Sequence, residues 1–467
     1  MPRHADAIVI GGGPGGYVAA IRLGQLGKQV VLVEKARLGG ICLNEGCIPS
    51  KALITAGRLM HKIKEAHEIG IEVSGLKLDF AKTQAWKNRV VQRLNAGIKL
   101  LCDGNGVETL QGTARLKPQR RVSVERGGDV EEIEAERIVI ATGSRPIALK
   151  EFPFDGRRIL DSTQALELDA VPPRLLVIGG GVTGLEIAGM YLDFASRVTI
   201  AEMMDQVLPG LDRDLVEVVQ NSLVRKGAEI YLEAQATLLG ASDGRIQVRI
   251  RSRGKEVEGE YDKILVAVGR APNTDHLGLL EAGVELGEKG FIKVDAQRRT
   301  TAEGIYAIGD AAGPPFLAHK ASREGLVAAE AICGRPAAFD QRALPNAIFT
   351  DPEVASVGLS ESEAKRSVGE CLIEKFPFQA SGRALTERET SGYVKIICDP
   401  QRSRILGVHI VGPNASDLIS EAALAIEMGA TPEDIALTIH PHPTLPEALM
   451  EAAEAVTGAP IHILKRS

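Results

Sequence analysis

Ile8-Val9-Ile10-Gly11-Gly12-Gly13-Pro14-Gly15-Gly16 is an apolar run that breaks into glycine and leads to the helix-compatible stretch Tyr17-Val18-Ala19-Ala20-Ile21-Arg22-Leu23. Gly11, Gly13 and Gly16 satisfy G-x-G-x-x-G in the strand–turn–helix setting that the motif requires. The glycines let backbone approach a pyrophosphate, which rests on the positive end of the following helix. A second apolar strand, Val30-Val31-Leu32-Val33, ends at Glu34, 23 residues beyond Gly11. A carboxylate at that place accepts from ribose hydroxyls. The unit then recurs. Leu175-Leu176-Val177-Ile178 precedes Gly179-Gly180-Gly181-Val182-Thr183-Gly184, a helix is expected from Leu185, and Val198-Thr199-Ile200-Ala201 ends at Glu202, again 23 residues past its first glycine. One such loop is weak evidence, but Gly179, Gly181 and Gly184 with matched acid spacing make two dinucleotide sites the reading. Glu202 favours NAD over NADP, because a 2′-phosphate would meet a carboxylate there.

Each unit closes on a similar strand, Arg137-Ile138-Val139-Ile140-Ala141-Thr142-Gly143-Ser144 and Lys263-Ile264-Leu265-Val266-Ala267-Val268-Gly269-Arg270. Both break at a glycine where backbone would face a cofactor. A third element, Ile305-Tyr306-Ala307-Ile308-Gly309-Asp310, repeats strand-then-Gly-Asp. Asp310 suits a ribityl or ribose hydroxyl, and equally an ordinary turn or helix cap.

About thirty residues after the first loop comes Cys42-Leu43-Asn44-Glu45-Gly46-Cys47-Ile48-Pro49-Ser50-Lys51. Five residues of regular helix would separate the two Cα atoms by about 7.5 Å, against roughly 4.4–6.8 Å in a disulfide. Bridging them needs a distorted turn, for which Gly46 supplies freedom, while Pro49 fits only the first turn of a following helix. A sulfur at a helix N-terminus is acidified by the dipole. Two buried structural cysteines or half a zinc site are the plainer alternatives, but a zinc site would show a closer pair and a second pair to match. Cys102, Cys333, Cys371 and Cys398 stand singly and read as small buried hydrophobes.

The chain has 467 residues and a net charge of −6, which suggests about three domains and offers no basic stripe for nucleic acid. No apolar run reaches the roughly 18 residues of a membrane span, and Met1-Pro2-Arg3-His4 leads straight into a strand, leaving no room for a signal peptide. A reducing cytoplasm is the expected compartment, where a disulfide is usually catalytic. No metal is expected.

Together with His440-Pro441-His442-Pro443-Thr444-Leu445-Pro446-Glu447, these motifs make the whole chain resemble the flavoprotein pyridine-nucleotide disulfide oxidoreductases. The likeness is greatest to the members that oxidise dihydrolipoyl groups. Pro441 and Pro446 depart from the pattern, where a small residue is usual. The resemblance implies FAD in the first loop and NAD in the second, with Cys47 against the flavin and Cys42 exchanging with substrate. It implies a Lys51–Glu186 ion pair beside the flavin, and flavin contacts at Ala114, Asp310 and Ala318. Thr142 and Gly143 are expected on the FAD side, Glu186 and Gly269 on the NAD side. Thiol exchange needs a base in the imidazole range, and Glu447 would orient His442 for it; His440 is the less certain of the two. The resemblance further implies a homodimer in which the base reaches the partner's dithiol, and partners bearing lipoyl groups, either acyltransferases or glycine-cleavage proteins. The expected fold is α/β: Rossmann-like units for FAD (1–150 and 273–345) and NAD (151–272), then a C-terminal α+β dimerisation unit (346–467). Glutathione-type reductases normally prefer NADP, mercuric reductases end in paired cysteines, and a soluble transhydrogenase lacks one active cysteine. A purely structural subunit of a multienzyme complex would not need the intact set.

Overall fold

The computed structural model describes residues 3–242 and 244–464. Met1, Pro2 and the tail 465–467, which entered the reading of the two ends, lie outside these. The strand Arg3–Ile10 pairs in parallel with Val30–Glu34 on one side and with Asp129–Ile140 on the other, at Ile8↔Ile138. Val107–Gln111 extends the sheet beyond Val30–Glu34, and Ile305–Ala307 adds in parallel to Asp129–Ile140. An antiparallel meander, Thr113–Lys117 with Arg121–Arg126, completes it. Val30 to Val33 are all buried, as strands covered by helices on both faces require. The second sheet is wholly parallel, in the order Glu229–Tyr231, Arg197–Ala201, Arg174–Ile178, Lys263–Val266, Ile159–Leu160. The third is an antiparallel sheet of five strands from Asn346–Ile348 to Ile405–Gly412, packed against the helices Ala415–Met428 and Glu447–Thr457. Two Rossmann-like units and an α+β unit are therefore present.

The glycine loops, both closing strands and the Gly309-Asp310 turn all lie at carboxyl ends of parallel strands, where open α/β sheets bind ligands. Helices Pro14–Gln25 and Val182–Asp193 begin three residues earlier than the sequence reading placed them. The later glycines of each loop thus belong to the first helical turn, whose N–H groups have no intrahelical acceptor. The closing strands pair with each other: Ser144–Pro146 runs antiparallel to Arg270–Pro272, and Asn273 N–H donates to the Gly143 carbonyl at 2.9 Å.

Buried charge holds the units in register. Lys395, fully buried in the C-terminal sheet, donates to Asp212 (2.7 Å), Asp214 (3.1 Å) and Glu361 (2.9 Å). Lys226 bridges Asp193 and Asp351 at 2.8 and 2.6 Å. Removing one partner from such a buried set costs on the order of 3–5 kcal/mol. The expectation for the single cysteines holds for Cys102 and Cys398. It fails for Cys333 and Cys371, which are half-exposed because they sit on the helix end at Ile332 and before the strand Leu372–Pro377.

Candidate active site

A cavity of about 2250 Å³ runs between the two dinucleotide units. That is more than twice the roughly 300–1,000 Å³ of a drug-sized ligand pocket. The glycines divide their labour in the same way in both loops. A Cβ on Gly11 would lie 2.3 Å from the Ala141 carbonyl oxygen, and one on Gly16 1.8 Å from that of Gly11. Gly179 and Gly184 are equally closed, at 2.5 Å from the Ala267 oxygen and 2.0 Å from the Gly179 oxygen. The middle glycines differ. Around Gly181 nothing lies within 4 Å, and at Gly13 the nearest atom is 3.9 Å away. Both face the cavity, leaving a cradle that a side chain would fill and a pyrophosphate can enter. Each helix start lacks a side-chain cap, so its N–H groups remain available to an anion.

The two glutamates are held alike. Glu34 accepts from Gly12 N–H (2.7 Å) and Ala36 N–H (2.8 Å). Glu202 accepts from Gly180 N–H (2.5 Å) and Met204 N–H (2.8 Å). Each carboxylate oxygen keeps a second lone-pair direction for a ribose hydroxyl. The residues thus fit two dinucleotides.

The dithiol lies between the cradles. Cys42 is carried by the short helix Gly40–Glu45, and Cys47 opens the helix Cys47–Glu65. The break at Gly46, with φ −135° and ψ −101°, is the distorted turn that the spacing demands. A Cβ on Gly46 would sit 3.2 Å from the Ile41 carbonyl oxygen and 3.7 Å from Cys42 Cα, so the two sulfur positions approach across glycine. Asn44 ties the turn down by donating to the Leu38 and Gly40 carbonyls at 2.8 and 2.9 Å. The proton shared with Cys42 brings the Cys47 thiol down to about 7, helped by Lys51 and opposed by burial. Cys42 is pushed up by that same proton and by burial. The reduced pair therefore carries its charge on Cys47.

Lys51 Nζ meets Glu186 at 2.7 Å and lies 4.4 Å from the centre of the Phe349 ring. The buried Glu186 also accepts the Phe349 N–H at 2.9 Å. Glu186 lines the same cavity as Gly179 and Gly181, and in this structure its carboxylate meets Lys51 and the Phe349 N–H. Ala114, Thr142, Gly143, Asp310 and Ala318 line the same cavity, as does Gly269. The Thr142 hydroxyl is engaged with the Asn273 carbonyl at 2.7 Å. Sequence reading missed Ser144, Arg270 and Glu324, which surround Asp310, and Phe349, which meets Lys51. Ser144 and Arg270 were visible as polar residues following the two closing glycines, but their contact is long-range.

His442 and Glu447 do not line the cavity. Glu447 begins the helix Glu447–Thr457 and accepts from Thr444 N–H at 2.7 Å. Its other oxygen holds His442 Nδ1 at 2.9 Å. The His442 side chain is 79 % exposed, with Nε2 outward. His440 is the opposite case: its side chain is 5 % exposed, with Nε2 on Glu421 (2.9 Å) and Nδ1 on the Thr438 carbonyl (2.8 Å). Only His442 has a ring nitrogen left for a proton. Pro446, in helical conformation ahead of Glu447, suits the first turn.

Comparison with known proteins agrees with this arrangement. The pyridine nucleotide-disulphide oxidoreductase family matches residues 5–325, and its dimerisation domain matches residues 344–453. The chain is 47 % identical to dihydrolipoyl dehydrogenase of Geobacillus stearothermophilus, covering 99 % of this chain and 98 % of that one. It is 46 % identical to the Bacillus subtilis enzyme of the same name, covering 100 % and 99 %. Among solved structures it resembles LpdA from Mycobacterium tuberculosis, with 31 % identity, a TM-score of 0.89 and coverage of 96 % and 99 %. The HOCl-induced flavoprotein disulfide reductase RclA from Escherichia coli follows at 27 % identity and a TM-score of 0.85, with coverage of 96 % and 99 %. With its paired glycine cradles, the dithiol between them and these relatives over its full length, the chain belongs to the pyridine nucleotide-disulphide oxidoreductases.

Proposed function

We propose that the chain is a dihydrolipoyl dehydrogenase, oxidising dihydrolipoyl groups to the lipoyl disulfide and reducing NAD+ to NADH. The observation that carries this is the Cys42–Cys47 dithiol in a cavity that joins both dinucleotide cradles. The residues Gly11, Gly13, Gly16 and Glu34 hold FAD, with Ala114, Thr142, Gly143, Asp310 and Ala318 along its length. Gly179, Gly181, Gly184, Glu202 and Gly269 hold NAD. Held there, FAD would supply a two-electron carrier between the dithiol and the nicotinamide of NAD+.

The chain's own residues do the sulfur and proton work. His442, oriented by Glu447, takes a proton from one substrate thiol. The resulting thiolate attacks Cys42 Sγ, and Cys47 leaves as a thiolate stabilised by Lys51 and the helix start. The second substrate sulfur then displaces Cys42, closing the lipoyl disulfide; the proton from that thiol stays on Cys42. Two electrons have now moved from substrate to the Cys42–Cys47 pair. The exposed His442 does not line its own chain's cavity, which supports a homodimer in which each base serves the partner's dithiol. We take 1–150 with 273–345 as the FAD domain, 151–272 as the NAD domain and 346–467 as the dimerisation domain. Lipoyl-bearing acyltransferases or glycine-cleavage proteins are the proposed partners, and the cytoplasm is the proposed compartment. Among the described residues no helix is long and apolar enough to cross a membrane.

The test is one panel: lipoamide, oxidised glutathione and Hg(II), each with NADH and with NADPH. Lipoamide with NADH should dominate. A preference for glutathione or Hg(II) would overturn the reading in favour of a related reductase.

A further inference from the structure

Three polar side chains from three strand ends meet beside the cavity. The buried Ser144 hydroxyl lies 2.7 Å from Arg270 Nε and 2.5 Å from Asp310 Oδ2. Arg270 Nη2 also donates to the Ser144 carbonyl at 2.9 Å. A guanidinium only donates, so the Ser144 oxygen accepts from Arg270 and its proton is directed to Asp310. One carboxylate oxygen is thereby occupied. The other, Oδ1, meets no donor among the described residues, and Asp310 borders the cavity.

The backbone under Asp310 is fixed separately. Glu324, fully buried, accepts from Gly309 N–H at 2.6 Å and from Arg298 and Lys320 at 2.8 and 3.0 Å. Lys320 also donates to the Gly313 carbonyl at 2.9 Å. With the turn clamped from beneath, the remaining freedom of Asp310 is its side-chain rotation, which the Ser144 contact removes.

We infer that Arg270 is a positioning residue for the flavin: acting through Ser144, it turns Asp310 so that its free oxygen faces the hydroxyls of the cofactor's sugar chain. Arg270 belongs to the strand that closes the NAD unit, so flavin retention depends on a residue of the neighbouring nucleotide unit. The inference rests on the proposed placement of FAD along Asp310.

The experiment titrates FAD into apoprotein and follows flavin fluorescence, with the thermal midpoint of each apoprotein recorded beside it. Arg270→Met and Ser144→Ala should each weaken FAD binding by about ten-fold, the size of one lost hydrogen bond to a charged group. Because Arg270 Nη2 keeps its bond to the Ser144 carbonyl, Ser144→Ala removes the hydroxyl link alone. The double variant should then be no worse than the weaker single variant, with apoprotein midpoints near wild type. Arg270→Lys should recover part of the affinity and Ser144→Thr most of it. Wild-type FAD affinity in Arg270→Met, additive losses in the double variant, or lowered midpoints with unchanged affinity would each overturn the inference. Asp310→Ala separates the two levels: if it binds FAD normally, the placement of the flavin has failed; if it loses FAD while Arg270→Met does not, only the relay has failed. Should Arg270→Met not fold, Ser144→Ala against Ser144→Thr makes the same decision.

Discussion

Replacing Lys51 with methionine removes a cation from the helical turn directly after Cys47 and leaves the buried Glu186 with the Phe349 N–H as its partner. Residues four apart on a helix hold their Cβ atoms roughly 5–6 Å from each other. A unit charge about 6 Å away at an effective dielectric of about 20 contributes roughly 2.8 kcal/mol, and partial exposure to the cavity reduces that to about half. At about 1.4 kcal/mol per pH unit, the midpoint of Cys47 should climb by about one unit. It starts from about 7, and the uncovered Glu186 charge acts in the same direction. The sign is firm: the lysine favours the thiolate, so its loss must favour the thiol. The reduced protein is titrated by the thiolate's ultraviolet absorbance and by the pH dependence of its alkylation with iodoacetamide. Lys51→Arg should stay near wild type, and Glu186→Gln should move the midpoint the other way. A midpoint that stays put or falls in Lys51→Met would refute the electrostatic account of Cys47.

Other expectations follow from the same geometry. Cys42→Ser should leave a Cys47 thiolate against the flavin with a long-wavelength absorbance, whereas Cys47→Ser should lack it; both should lose lipoamide turnover and keep flavin, and a reversed absorbance pattern would exchange the two roles. Replacing Glu202 with glutamine should narrow the NADH-over-NADPH preference mainly through KM, an idea defeated if the unaltered protein uses both coenzymes equally. His442→Gln should depress dihydrolipoamide oxidation by about 10²–10⁴-fold, Glu447→Gln by less, and NADH-driven flavin reduction little. Mixing inactive His442→Gln and Cys42→Ser chains should restore activity in mixed dimers; no recovery would place base and dithiol in one chain. Gly181→Ala, with open space at its Cβ, should weaken NADH binding at unchanged melting temperature, whereas Gly184→Ala, aimed at the Gly179 oxygen from 2.0 Å, should unfold the NAD unit.

What could be read from residues alone was what is local. The strand–glycine–helix units, the acids that end the next strands and the broken turn between the cysteines depend on neighbours within about thirty positions. Glu186 shows the limit. Its place two residues after Gly184 says nothing of Lys51, 135 residues earlier, and only the family resemblance led to the pair that the structure shows. The pairing of Ser144–Pro146 with Arg270–Pro272 was likewise hidden, since two similar strand ends carry no sign that they touch. His440 and His442 look alike in sequence and diverge in space because Glu421, from another helix, captures the first.

The matched clamps on Glu34 and Glu202 bear on how long each nucleotide stays. Both carboxylates are oriented by backbone N–H groups in the same way, so neither loop has an advantage in preorganisation. What differs is the enclosure around them. The first loop is overlooked by the Gly309-Asp310 turn and by Ala318 at the head of Ala318–Ile332. The second opens beside Met203 and Val182, both exposed to solvent. Residence time should thus follow the surroundings of two equivalent loops, with slower release expected from the first and faster release from the second.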